Sequence, residues 1–442
     1  MKYVLISAVV MLWSKINKFD FIRQIGHEYP EIKSSMRSYD RVICHDQFDE
    51  MKGGQNPDVG LSIDQLLVRN GYPVEIINVT TEDGYILSIY RIPFSPTSPT
   101  QKGVRKKAVM LQHGQGANGL AWLIQGGSRN FAMLLADSGL DVFILNARGS
   151  IYSQGHIDPS FSPDNVKYWD FSFHEMGIYD LPAIVEMVTD KTGNRAMYYV
   201  GHSMGTSMLT VMLTERPEYN DRILTAFLLS PAIQFGHTAQ PLRKFTRFSN
   251  YFQYFFNKFL KGKFEAGKMI EQYTSKPPGF LCTSRRDACD FCGNFMYLGF
   301  GYNGPQMNYT TLSILLGAFP DTMSTKTWTH FVQLINTDKF CQFNYGFKST
   351  NREKYGMDNP PCYNLVKVSA PIVMFWGQND IFVKPQDAAK TASKFPKGAL
   401  KEFIKVEDRL FSHIDFAMAI NADILVYNRA VTIMKNATYE FS

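Results

Sequence analysis

Ala196-Met197-Tyr198-Tyr199-Val200-Gly201-His202-Ser203-Met204-Gly205 is the stretch that decides how this chain is read. An apolar run from Ala196 to Val200 leads into a tight pentapeptide centred on Ser203, and the helix-forming run Met204 to Thr214 follows directly. Strand, sharp turn and helix in that order are what a G-x-S-x-G nucleophile elbow requires. The glycines at 201 and 205 fit because a seryl Oγ lifted clear of a sheet needs a strained turn. A Cβ at either flank would collide with the neighbouring strand or helix. Ser203 is therefore the expected nucleophile, and the Met204 N–H, at the start of the helix, is an expected oxyanion donor.

A serine nucleophile needs a base, and the base needs an orienting acid. Downstream, the buried-strand pattern Ala370 to Trp376 runs into Gly377-Gln378-Asn379-Asp380, a turn that places a carboxylate at a strand's C-terminal end. Catalytic groups of open α/β sheets collect at that edge. Asp387 and Asp408 are alternatives, and the placement of Asp380 at the strand end favours it. A further strand-like run, Lys401 to Val406, precedes Ser412-His413-Ile414-Asp415. Of the nine histidines, His413 alone follows Asp380, whereas His202 sits in the elbow as packing or polar support. The order Ser203, Asp380, His413 is that of an α/β-hydrolase. A second oxyanion donor is expected where Ala108 to Gln112 runs into His113-Gly114-Gln115-Gly116, which nominates the Gln115 N–H.

Strand patterns recur at Ala108 to Gln112, Asp141 to Leu145, Ala196 to Val200, Ile223 to Leu229, Pro371 to Phe375 and Glu402 to Val406, with helical patterns between several of them. Asp83-Gly84 joins two alternating runs as an edge hairpin. This alternation predicts an α/β-hydrolase fold with a mostly parallel central sheet. It stops between Pro231 and about Leu365, where the chain becomes helix-like and aromatic, as an inserted cap or lid. Phe245, Phe248, Tyr251, Phe252, Tyr254, Phe255, Phe256 and Phe259, interleaved with Arg243, Lys244, Arg247 and Lys258, read as cap core or as a lipid-facing surface. The expected organisation is a signal peptide over 1–14, an extension over 15–55, core over 56–230, cap over 231–365 and core again over 366–442.

With these residues in place the chain resembles the acid lipase family, which includes the gastric and lysosomal acid lipases of animals. The resemblance runs from about Asn56 to Lys435. Its anchors include Asn56-Pro57-Asp58-Val59, Thr81-Glu82-Asp83-Gly84-Tyr85, Leu111-Gln112-His113-Gly114, Asn146-Ala147-Arg148-Gly149, Phe171-Ser172-Phe173-His174-Glu175, Tyr179-Asp180-Leu181-Pro182 and His413-Ile414-Asp415-Phe416. Met204 stands where the family usually has glutamine, and Gln115 where it usually has leucine. Both positions act through backbone N–H groups, so the oxyanion hole survives while the pocket shape changes. The resemblance implies a serine lipase acting on the carboxylic esters of neutral lipids, triacylglycerol or sterol ester, at a lipid–water interface and without metal or organic cofactor. A short-chain carboxylesterase or a non-catalytic lipid carrier on the same fold are the alternatives. It also implies a short loop closed by Cys282 and Cys292.

Composition agrees with an exported enzyme. The 442 residues are 45% hydrophobic and 19% charged, enough to build a large core, and the net charge of +6 without a long basic tract argues against nucleic acid as partner. Met1-Lys2 and the apolar run Tyr3 to Trp13 read as a secretory signal, too short to span a bilayer. Secretion is the expectation, with the lysosomal lumen as the other destination. Asn78, Asn308 and Asn436 head N-glycosylation sequons. Among the six cysteines, Cys341 and Cys362 are open to pairing with each other, while Cys44 and Cys289 have no evident partner. The Cys289-x-x-Cys292 spacing alone does not complete a zinc site.

Overall fold

Continuous apolar runs suit strands covered on both faces, and alternating runs suit strands covered on one. The computed structural model, which describes residues 42–49, 56–97, 105–238 and 259–436, sorts the strands in this way. A hairpin of β1 (Glu75–Thr80) and β2 (Tyr85–Ile92) turns at Asp83-Gly84, where Gly84 has φ +92°. It is followed by β3 (Ala108–Gln112), β4 (Asp141–Ile144) and β5 (Gly155–His156). The chain continues through β6 (Met197–His202), β7 (Ile223–Leu229), β8 (Lys263–Phe264), β9 (Met323–Ser324), β10 (Ile372–Trp376) and β11 (Leu400–Lys405). The main sheet has the order β1-β2-β4-β3-β6-β7-β10-β11, with β5 on β2. Every pairing from β4 to β11 is parallel, while β2 runs antiparallel to β1, β4 and β5.

Central β3, β4 and β6 are buried at every position, whereas edge strand β11 alternates along its length. Side chains of one strand divide between the two faces: Val109 and Leu111 enter one core with Val200 and Phe227, and Ala108 and Met110 enter the other with Tyr199 and Leu228. From β3 the chain goes first to β4 on one side and later to β6 on the other. The strand order thus reverses at β3, and a crevice opens between the loops after β3 and β6.

Between β7 and β10 the described residues are mainly helical: Ala266–Thr274, Gly293–Phe300, Leu312–Ala318, Thr325–Thr337 and Lys348–Tyr355. A separate two-stranded pair, β8 with β9, joins them. Of the aromatic run, Phe245 to Phe256 and the basic residues Arg243, Lys244, Arg247 and Lys258 lie outside the described residues, as does the signal-like start. Phe259 is exposed.

Three disulfides staple this region. Cys282 pairs with Cys292 and Cys341 with Cys362. Cys44 and Cys289, which the sequence left without partners, bond to each other. The bond fixes helical residues 42–49 against the insertion, where Gln47 Nε2 donates to Met307 O at 3.0 Å and Gln47 Oε1 accepts from the Tyr309 N–H at 2.8 Å. Part of the expected extension is therefore built into the fold. Among the sequons, Asn78 and Asn436 are exposed, but Asn308 is only 7% exposed. No described helix is long and apolar enough to cross a membrane.

Candidate active site

Strand β6 ends at His202, and the next residue turns abruptly. Ser203 has φ +52°, a left-handed conformation that an L-residue adopts at a cost, and its N–H donates to Leu229 O at 3.0 Å. The flanking glycines are required by contact. A Cβ on Gly201 would lie 2.8 Å from the Gly205 carbonyl carbon, and one on Gly205 would lie 2.8 Å from Gln112 O. Because backbone atoms oppose both, Gly205→Ala is expected to destabilise the fold by about 1–3 kcal/mol. Thermal denaturation of the variant checks this, and an unchanged midpoint would contradict it.

The three groups expected to act together do meet. His413 Nε2 lies 2.8 Å from Ser203 Oγ, and His413 Nδ1 lies 2.9 Å from Asp380 Oδ2. A carboxylate only accepts, so Nδ1 carries the hydrogen and Nε2 is left to accept from the serine hydroxyl. Asp380 is fully buried at the end of β10, and its Oδ1 accepts the Phe382 and Val383 N–H groups, both at 2.9 Å. Burial alone would raise this carboxyl. The charge and hydrogen bond of His413, with donors from Ser230 and Val383, more than offset it and hold the group below the ordinary range.

The neighbouring histidines serve as neutral supports. His202 Nε2 donates to the His413 carbonyl at 2.9 Å and fixes the backbone that carries the base. Burial, reinforced by the nearby His413 ring, pushes His202 down to about 3. His113 donates from Nδ1 to Gly114 O at 2.8 Å and accepts the Ala147 N–H on Nε2 at 3.1 Å, and burial pushes it down to about 4.

The loop after β3 stands against the elbow: a Cβ on Gly114 would lie 3.1 Å from Ser203 Cβ. Gln115 and Met204 line one narrow cleft with Gly116, Met176, Met323 and Thr327. Here β9 closes on the loop, since Gln115 Nε2 donates to Met323 Sδ at 3.7 Å and the Asp321 N–H donates to Gly116 O at 2.7 Å. Asp321 also accepts Asn118 Nδ2 at 2.9 Å, and burial pushes its carboxyl up to about 7. Among the described residues no group of three His, Cys, Asp or Glu side chains is arranged to hold a metal. Cys289 and Cys292 are committed to different disulfides.

One close neighbour of these groups carried no sequence signal. Ser230, directly after β7, is fully buried with φ +50°, and its Oγ reaches both Asp380 and His413. Its only mark in the sequence is a hydroxyl residue between an apolar strand and Pro231.

Residues 107–411 match the model of the alpha/beta hydrolase fold, and residues 63–126 match that of a partial alpha/beta-hydrolase lipase region. Gastric triacylglycerol lipase of Rattus norvegicus is 34% identical over 394 residues, covering 88% of this chain and 95% of its own length. Lipase member N and lipase member K of Homo sapiens are each 32% identical, over 389 and 391 residues, covering 88% of this chain and 94% of their own.

Proposed function

Because this chain belongs to the acid lipase family of α/β-hydrolases, we propose that it hydrolyses triacylglycerol through an acyl-serine intermediate formed on Ser203. The chain is a carboxylic ester hydrolase. The observation that supports this assignment of residues is the unbroken relay Ser203 Oγ to His413 Nε2, at 2.8 Å, and His413 Nδ1 to Asp380 Oδ2, at 2.9 Å.

In the proposed reaction His413 takes the Ser203 proton as Oγ attacks the ester carbonyl, and Asp380 stabilises the imidazolium that results. The Met204 and Gln115 N–H groups hold the oxyanion. Collapse expels the glyceride alcohol, which leaves with the proton from His413, and the acyl group stays on Ser203. Water then attacks the acyl-serine, giving its proton to His413. The carboxylic acid departs as Ser203 recovers a proton. Residues 231–365 are read as the cap, whose β9 already touches Gln115 and Gly116. Such a cap keeps apolar walls from water until a lipid surface is present. Export to an oxidising compartment is part of the same proposal, supported by three disulfides that leave no free cysteine among the described residues.

The test is hydrolysis of a matched series of esters, from short and soluble to long-chain and emulsified. Rising activity on emulsified long-chain triacylglycerol is the expected result. Activity confined to short soluble esters would move the chain to the carboxylesterases, and none in a folded protein would leave the lipid carrier.

A further inference from the structure

Ser230 does more than end a strand. Its N–H donates to Phe375 O at 3.0 Å, which holds the residue between the elbow strand β6 and the acid-bearing strand β10. Its φ of +50° is one that glycine adopts freely and serine adopts at a cost. Two contacts of the hydroxyl accompany that strain. Oγ lies 2.5 Å from Asp380 Oδ2 and 2.9 Å from His413 Nδ1. Since the carboxylate can only accept, the serine hydroxyl donates to Oδ2, and its oxygen faces the Nδ1–H.

Asp380 is thereby gripped from every side. Oδ1 takes two backbone donors, and Oδ2 takes the Ser230 hydroxyl and His413 Nδ1. Without Ser230 the backbone donors would still fix Oδ1, but Oδ2 would be held by His413 alone, the group whose charge changes during turnover. We infer that Ser230 is a positioning residue for the His413–Asp380 pair, fixing the carboxylate oxygen that orients the base. It touches no substrate and acts only through Asp380 and His413. The inference rests on the reading of Ser203, His413 and Asp380 given above.

The test separates the hydroxyl from the backbone. Ser230→Gly removes Oγ while suiting the positive φ, and Ser230→Ala removes Oγ while keeping the strain. Both are compared, in the full-length chain, with the parent and with Ser203→Ala on a soluble ester. The expected result is a thermal midpoint for Ser230→Gly no lower than the parent's and an unchanged KM. Its kcat should fall roughly 10-fold, the scale of one lost hydrogen bond to a charged group. The far-downfield proton resonance of the His413–Asp380 bond should shift in both variants. A kcat for Ser230→Gly within about two-fold of the parent would overturn the inference. So would a loss of activity matched by a lowered midpoint with the resonance unmoved, because that is the signature of a merely structural contact. Activity surviving in Ser203→Ala would instead overturn the underlying site, which keeps the two failures distinct.

Discussion

Ser203→Ala is expected to lower ester turnover by roughly 10⁴ to 10⁶-fold with the fold intact. The size follows from what is removed. In the proposed reaction the relay to His413 and Asp380 first draws a proton from Oγ, so without Oγ the base faces a methyl group and no acyl-serine forms. What remains is binding and the oxyanion donors, which sustain only a small part of the rate. Stability should hold because alanine keeps the Cβ that the elbow already accommodates at φ +52°, and the Ser203 N–H to Leu229 O bond is a backbone contact. Rates on a soluble ester, read beside the thermal midpoint of the same preparation, decide the matter. A folded variant with near-parental turnover would falsify the assignment of Ser203.

The elbow was legible because it is local. An apolar strand, two glycines around a serine and a helix occupy one stretch, and steric rules bind each to the next. The buried strands were legible for the same reason, although β6 runs on to His202 where the apolar run suggested an end at Val200. Gly201 and His202 continue the ladder against Leu228 and Leu229, and pairing, not hydropathy, sets the limit. Long-range contacts were legible only where chain order and strand ends marked them, as for Ser203, Asp380 and His413. Cys44 and Cys289 are 245 positions apart, and Ser230 stands 150 from Asp380 and 183 from His413. No periodicity relates such residues. Strand β5 is two residues long and exists because it pairs with Tyr85 and Ile86, which its own sequence does not announce. Asn308 shows the converse: the sequon is local, but its burial is decided by the tertiary packing around it.

Arg148 belongs to the same lesson, since Asn146-Ala147-Arg148-Gly149 marked the family without revealing what the arginine does. Its side chain is fully buried, with Nε donating to Asp180 Oδ1 at 2.8 Å and Nη1 and Nη2 donating to the two Asp83 oxygens at 2.6 and 2.8 Å. The Tyr85 ring centroid lies 4.0 Å from Cζ. One guanidinium therefore ties the β1–β2 hairpin, which holds Asp83, to Asp180 just before the helix Leu181–Thr192. Arg148→Leu would leave Asp180, whose side chain is 1% exposed, as a buried and unpaired acid. Breaking one side of a buried ion pair costs about 3–5 kcal/mol, far more than the intact pair contributes over an apolar replacement. That loss, read by urea denaturation at neutral pH, is the expected result. Burial already raises the Asp180 carboxyl and Arg148 opposes the rise, so removing Arg148 raises it further. A raised carboxyl binds its proton in the folded state at a pH where the unfolded chain has lost it. Because Asp180 in the parent is itself raised to about 6, both proteins lose stability alike up to that pH, and the variant's deficit should be smallest below it and grow as the pH climbs beyond it. Lysine at 148 should recover only part of the loss, because one ammonium cannot present the planar fork that engages both carboxylates. If Arg148→Leu unfolded at the parent's urea concentration at neutral pH, the buried network would be contributing no net stability, and Arg148 would have to be explained by the shape of the adjoining cleft alone.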